Sequence, residues 1–369
     1  MSKKIGMLAA MVAACAALAA PALASAKPYL TQFSTTSTIA SAVPTSGPSM
    51  GDQNPYGVAV VRHTEGDLIR GDILVSDFNN AQNEQGTGST IMEISPSGAA
   101  HIFAVVPQPT STPAVGLTTA LVELRQGFVV VGSLPAPGGN SSAATAGALS
   151  ILDSHGKVVE TLMGGDINGP WDMTAVQRGD RAVLFVTNVL NGTVAAKGGV
   201  VHDGTVVRIV LRIHGHHQPQ VVSNQVIASG FAEHTDPNAL VVGPTGVGLG
   251  RDGVLYVADS NGNRIAAVPN ALTRTSVLGG GGITVSKGGK LNDPLGLVIA
   301  PNGHIITANG GDGRVVETTP GGAQVASKTL VAEGAGDLFG LAIVPEGRGL
   351  YFVNDAGSGP AANSLDVLH

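Results

Sequence analysis

One short phrase recurs along this 369-residue chain: Pro, any residue, Gly, then an apolar strand. A glycine turn follows, then a second apolar strand that stops on a small or acidic polar residue, then a third strand. The clearest copy runs from Pro244-Thr245-Gly246-Val247 through the turn Arg251-Asp252-Gly253 to Leu255-Tyr256-Val257-Ala258-Asp259, and turns again into Arg264-Ile265. The next begins at Pro294-Leu295-Gly296-Leu297, turns at Pro301-Asn302-Gly303, and continues as Ile305-Ile306-Thr307-Ala308-Asn309 into Arg314-Val315. Asp259 to Arg264 and Asn309 to Arg314 have the same spacing. Four looser copies start at Pro55-Tyr56-Gly57, Pro113-Ala114-Val115-Gly116, Pro170-Trp171-Asp172 and Leu338-Phe339-Gly340. Their second strands stop at Asp77, Ser133, Asn188 and Asp355. Sets of short strands repeating at roughly 45 to 75 residues are blades, so the sequence predicts an all-β, six-bladed β-propeller.

The physical logic is specific. A middle blade strand is covered on both faces by neighbouring blades, so it reads as an unbroken apolar run rather than an alternation. Ile73-Leu74-Val75 and Val129-Val130-Val131 read that way. The glycine after Pro-x permits a tight start to the strand near the crowded axis. The last copy ends at Leu365-Asp366-Val367-Leu368 with a third strand and no fourth. Residues 36–43 have strand-like composition and are expected to supply the missing outer strand, latching the ring and removing an exposed edge.

Composition agrees. The chain is 43% hydrophobic and 12% charged, with 52 glycines and 21 prolines, which fits many strands and turns. The first 26 residues read as a secretory leader: Lys3 and Lys4, an apolar alanine-rich stretch, then two A-x-A sites ending at Ala26. The expected organisation is a signal peptide at 1–26 and a propeller at 27–369, placed in the periplasm or secreted, with no membrane span in the mature protein. Two rivals are an uncleaved span and a lipoprotein anchored at Cys15 through Val12-Ala13-Ala14-Cys15. The formal charge of −6 becomes −8 when Lys3 and Lys4 leave with the leader. With no Lys/Arg cluster, such a surface does not attract nucleic acid. Cys15 is the only cysteine, so cleavage after Ala26 would leave no thiol for a disulfide or a zinc site.

Leu255 to Ile265 resembles the NHL repeat, whose usual form is an apolar strand, Asp, a turn, then Arg-Ile. Six-bladed relatives of that repeat include the gluconolactonase and paraoxonase group, strictosidine synthase-like proteins and streptogramin lyase. The resemblance implies the fold more firmly than an activity, because NHL proteins are mostly binding scaffolds.

Candidate chemistry sits at the polar stops Asp77, Ser133, Asn188, Asp259, Asn309 and Asp355, which a propeller would bring to one end. They either cap turns or form a ligand-binding ring around the pore mouth. The third copy stands apart: Asp172 replaces the glycine and follows Trp171, the only tryptophan. In the gluconolactonase-like families a central calcium is held by Glu, Asn and Asp from different blades. The resemblance implies that Asp172, Asn188, Asp259 and Asn309 could hold one. The plainer reading packs Trp171 on the surface and bonds Asp172 to a loop amide. His214, His216 and His217 fall in a polar loop, where solvation competes with metal binding. His234 is the candidate general base if there is catalysis. The chain has no G-x-S-x-G, H-E-x-x-H or Walker sequence, and the glycine run at 279–282 lacks the following Lys-Ser/Thr. Three departures from the period, at about 80–89, 134–147 and 212–243, are candidates to cover the pore.

Two functions follow. One is an exported scaffold binding a small molecule or an envelope protein at the pore face. The other is a metal-dependent hydrolase or lyase at the pore, with calcium as the candidate cofactor. The sequence leaves open whether the protein is an enzyme.

Overall fold

Unbroken apolar runs become the second strand of each blade, and both their faces are covered. The computed structural model describes residues 27–108, 114–332, 334, 336–356 and 362–369. The leader expected at 1–26, Cys15 within it, and Pro113 of the second copy lie outside the described residues.

The chain begins with β1 (Thr36–Ser41). Blade one is β2 (Gln53–Val60), β3 (Ile73–Asn79), β4 (Thr90–Ile94) and β5 (Ala100–Val105). Blade two is β6 (Leu117–Glu123), β7 (Val129–Ser133), β8 (Ala148–Leu152) and β9 (Val158–Met163). Blade three is β10 (Gly169–Arg178), β11 (Arg181–Val189), β12 (Val201–Arg212), β13 (Gln220–Asp236) and β14 (Leu240–Val242). Blade four is β15 (Pro244–Leu249), β16 (Leu255–Asp259), β17 (Arg264–Val268) and β18 (Ile283–Lys287). Blade five is β19 (Pro294–Ile299), β20 (Ile305–Asn309), β21 (Arg314–Thr318) and β22 (Gln324–Thr329). Blade six is β23 (Leu338–Ile343), β24 (Leu350–Asn354) and β25 (Ser364–Leu368), completed by β1.

The six sheets are antiparallel meanders, and their first strands β2, β6, β10, β15, β19 and β23 pack on one another in a ring around the axis. The ring closes where β2 packs on both β6 and β23. Each gap between blades holds its own apolar cluster. Leu74 and Ile91 of blade one meet Val129 and Val131 of blade two. Phe185 and Phe231 of blade three meet Val247 and Val257 of blade four. Tyr56, Ile73 and Val75 meet Tyr351 and Val353 across the closing seam. Stability therefore rests on faces between blades, and β3, β7, β16 and β20 are buried along their whole length.

β1 is the latch that the sequence predicts. It runs antiparallel to β25 from Thr36↔Leu368 to Ser41↔Ser364. The segment before it is held as well. Glu317 of blade five, fully buried, accepts the backbone N–H of Tyr29 (2.7 Å) and Leu30 (2.9 Å). It also holds Asn302 Nδ2 at 2.9 Å and His304 Nδ1 at 2.6 Å.

The repeat phrase proves to be a bulge. In β2, β10, β15, β19 and β23 the pairing shifts directly after the first residue of the repeat phrase, Pro55, Pro170, Pro244, Pro294 and Leu338. The x residue is the extra one, and the bulge turns it toward the axis. The glycine after it lies against the next blade. A Cβ on Gly246 would stand 2.2 Å from the Leu295 carbonyl oxygen. On Gly296 it would stand 2.2 Å from that of Phe339, and on Gly340 2.1 Å from that of Tyr56. The obstacle is backbone that the neighbouring sheet fixes. Gly340→Ala is therefore expected to cost at least about 2 kcal/mol, read as a lower melting temperature. Unchanged melting would mean that the seam is loosely packed.

One expectation needs correction. Residues 212–243 are not a loop excursion: β13 runs for 17 residues beside the 12-residue β12. Four register shifts let the long pair bend. The histidines at 214, 216 and 217 sit on the exposed turn of that hairpin, where His214 faces Asp180 (3.7 Å) and His216 faces Glu65 (3.8 Å). No helix among the described residues is long and apolar enough to cross a membrane.

Candidate functional site

Strand register decides where the polar stops go. Asp77 pairs with Pro55, Ser133 with Leu117, Asn188 with Pro170, Asp259 with Pro244 and Asn309 with Pro294. Asp355 follows Asn354, which pairs with Leu338. Each stop thus lies beside the start of an inner strand, and all six reach the same end of the ring.

Their local roles differ. Ser133 Oγ accepts the Ala148 N–H within its blade (3.2 Å). Asn188 Oδ1 accepts the Asn168 N–H (3.1 Å). Asp259 accepts the Gly262 N–H (3.0 Å) and pairs with Arg264 Nε (2.7 Å), so the Asp-to-Arg spacing of the repeat is a turn clasp. Asn309 donates to the Lys290 carbonyl (2.8 Å) and to Asp312 (3.0 Å). Asp77 is fully buried, and neither of its oxygens has a hydrogen-bond partner among the described residues. Burial holds its carboxyl well above the usual range, with Asp52 and Asp355 adding like charge. Burial, then the neighbouring Asp337, pushes Asp355 up to about 7.

Asp172 stands on the axis but is engaged. Its Oδ1 accepts the Met173 N–H (2.7 Å) and its Oδ2 accepts the Val247 N–H of blade four (2.9 Å). It bonds inner-strand amides rather than a loop amide, and spans a seam that glycine closes elsewhere. Burial raises its pKa to about 8. Of the four residues considered for calcium, Asp172 and Asp259 spend both oxygens on protein donors. Among the described residues, no group of three or more His, Cys, Asp or Glu side chains is placed to hold a metal ion. Asn188 Oδ1 holds the Asn168 N–H, while Asn309 Oδ1 is buried without a partner among the described residues.

Two cavities lie along the axis among the described residues. The larger, about 480 Å³, is the channel between the inner strands, lined by Val58, Asp172, Val247 and Leu297, with Arg62, Glu123 and Arg251 where those strands end. The smaller, about 220 Å³, lies at the polar-stop end. Its wall includes the bulged x residues: Tyr56, Trp171, Thr245, Leu295 and Phe339. Trp171 is not a surface residue. It is 4% exposed and meets Tyr56 (5.9 Å) and Phe78 (5.8 Å) edge-on. The Tyr56 ring lies between Phe78 (4.4 Å) and Phe339 (4.1 Å).

Polar groups complete this cavity: Asn54, Asn79, Asn83, Gln85 and Asn238, with the carboxylates of Asp293 and Asp355. The departure at 80–89 does cover the mouth, because Gln85 Nε2 donates to the Asn238 carbonyl (2.6 Å) from across the ring. Residues 134–147 support it, with the Ala136 N–H on the Gly86 carbonyl (3.0 Å). His234 stands behind the wall, beside Asn261 Nδ2 (3.2 Å) and Asp236 (3.9 Å). Burial raises the Asp293 pKa, Asp236 adds to that, and His234 opposes it.

Of the polar stops, only Asp355 lines the smaller cavity. Asn54, Asn79, Gln85 and Asp293 were not singled out, though two of them left a trace. Asn54-Pro55 and Asp293-Pro294 place an Asn or Asp before the strand-starting proline, and both adopt positive φ (61° and 54°), which those residue types tolerate best.

No family model matches the sequence, and no curated protein matches it. Solved structures do. A gluconolactonase from Xanthomonas campestris is 14% identical, with 90% of this chain and 88% of that chain covered and a TM-score of 0.53. The calcium-binding protein regucalcin from Agrobacterium tumefaciens is 13% identical, with 88% and 94% covered and a TM-score of 0.52. A PQQ-bound aldose sugar dehydrogenase from Streptomyces coelicolor is 15% identical, with 90% and 98% covered and a TM-score of 0.51. At these identities the likeness shows the fold alone, a six-bladed β-propeller.

Proposed function

We propose that this chain is an exported propeller that binds a small molecule in the cavity at the polar-stop end of its axis. One observation carries the reading: the side chains of Asn54, Asn79 and Gln85 line that cavity, and their amide oxygens are buried without a hydrogen-bond partner among the described residues. Buried polar atoms without partners are costly, and three around one aromatic-walled space favour a bound molecule as the missing partner. At about 220 Å³ the space lies below the ~300–1,000 Å³ of drug-sized pockets. A small molecule fits it better than a segment of an envelope protein.

The test uses Trp171, the only tryptophan in the chain and part of the cavity wall. A compound that raises the melting temperature by binding there is expected also to change Trp171 emission. Stabilising compounds that leave the emission unaltered would place the binding elsewhere. Calcium added in the same assay addresses the metal-dependent hydrolase or lyase reading. That reading has less support, since the oxygens of Asp172 and Asp259 are already committed.

A further inference from the structure

The polarity of the cavity limits what can fill it. Its three orphan atoms are all acceptor oxygens, on Asn54, Asn79 and Gln85. Asn54 and Asn79 are only 6% and 2% exposed. The charged residues in the wall are Asp293 and Asp355; among the described lining residues there is no Lys, Arg or His. Behind them lies Asp77, whose two oxygens also lack a partner. Trp171 and Phe339 supply aromatic surface.

We infer that the ligand is a small organic cation: an ammonium group on a short apolar body. The inference rests on the binding reading above and narrows it. An ammonium brings donors or positive charge to acceptors that lack them, and it compensates Asp293 and Asp355. Aromatic rings attract such a cation through their quadrupoles, most strongly where water is excluded. An anion would add charge of the sign already in excess. A neutral polyol would satisfy the amide oxygens and leave the carboxylates uncompensated. A bare metal ion would use oxygens and give the aromatic wall no role. The raised pKa of Asp355 fits this account, since an empty site favours the protonated carboxyl and a cation would hold it ionised.

Three probes of one shape test the idea: choline, its uncharged tert-butyl isostere, and the matching tert-butyl carboxylate. Each is titrated into the full folded chain, following Trp171 emission and melting temperature, with a short series of primary ammonium ions alongside. Choline or an ammonium ion is expected to bind at least about tenfold more tightly than the isostere, and the carboxylate most weakly. Asp355→Asn, which keeps the side-chain shape, is expected to remove most of that preference. Should this variant fail to fold, Asp293→Asn is read in its place. Equal or tighter binding of the neutral or anionic probe, with Trp171 responding, would overturn the cation inference and leave the cavity as a binding site. Silence of Trp171 to every cation would also overturn it. Only silence to a wider neutral and anionic panel as well would remove the binding reading.

Discussion

A chain shortened to begin at residue 43 is expected to lose at least about 5 kcal/mol of stability, and either to melt far below the full protein or to aggregate. Three losses combine. First, β25 loses its partner from Thr36↔Leu368 to Ser41↔Ser364, leaving an open edge that can recruit other chains. Second, Tyr29 and Leu30, 3% and 1% exposed, leave the cluster between blades five and six. Fully burying side chains of this kind contributes about 1.5–3 kcal/mol each. Third, Glu317 loses two backbone donors and keeps His304 and Asn302, at about 0.5–1.5 kcal/mol for each hydrogen bond lost. The control adds residues 27–42 back as a peptide. Recovery of the melting temperature would assign the loss to the latch rather than to general damage. A truncated chain that melts like the full one would show that ring closure contributes little.

The latch was legible because a propeller must close, and a final copy lacking one strand requires that strand from elsewhere. Blade number was legible for a similar reason: middle strands covered on both faces cannot alternate, so Ile73-Leu74-Val75 and Val129-Val130-Val131 declare themselves. The glycine after Pro-x was legible as a sign of crowding at the axis, and the Tyr56 carbonyl of the next blade against Gly340 is what crowds it. The site was much less legible. Polar stops such as Asp259 look like ligand groups in one dimension, yet the repeat that makes them visible also makes them turn clasps, as the Arg264 pair shows. The residues lining the smaller cavity occupy the position that the repeat leaves free. In Pro-x-Gly, x carries no pattern, so Tyr56, Trp171 and Phe339 gave no periodic signal. The bulge that turns them inward becomes visible only in the strand register. Asn79, Asn83 and Gln85 arrive from the end of β3 and the loop after it, and no local rule ties that segment to Asn238.

Stability is expected to fall as pH rises from about 5 to 8, the reverse of a protein held by ionised carboxylates. Glu233 is fully buried; burial pushes it up to about 8, against hydrogen bonds from Asn191 and with Asp203 adding like charge. Glu123 is pushed up to about 7 by burial, opposed by Arg62. Asp355 reaches about 7 for the reasons given above. Their ordinary values are 4.5, 4.5 and 3.8. A carboxyl whose pKa rises on folding binds its proton more tightly in the native state. Its stabilising contribution is complete below the unfolded pKa and is lost as pH climbs through the folded one. Between those two values each such group tilts stability by about 1.4 kcal/mol per pH unit. Melting curves from pH 4.5 to 9 are the measurement. Glu233→Gln and Glu123→Gln should each flatten the slope, because the amide has no proton to lose. A melting temperature that is level or rising between pH 5 and 8 would show that these carboxyls ionise freely in the fold. Choline offers a check on the cavity within the same titration. A bound cation favours ionised Asp355, where burial and then Asp337 otherwise disfavour the charge. The stabilisation it gives should therefore be larger at pH 8 than at pH 5, opposite in sign to the slope of the empty protein.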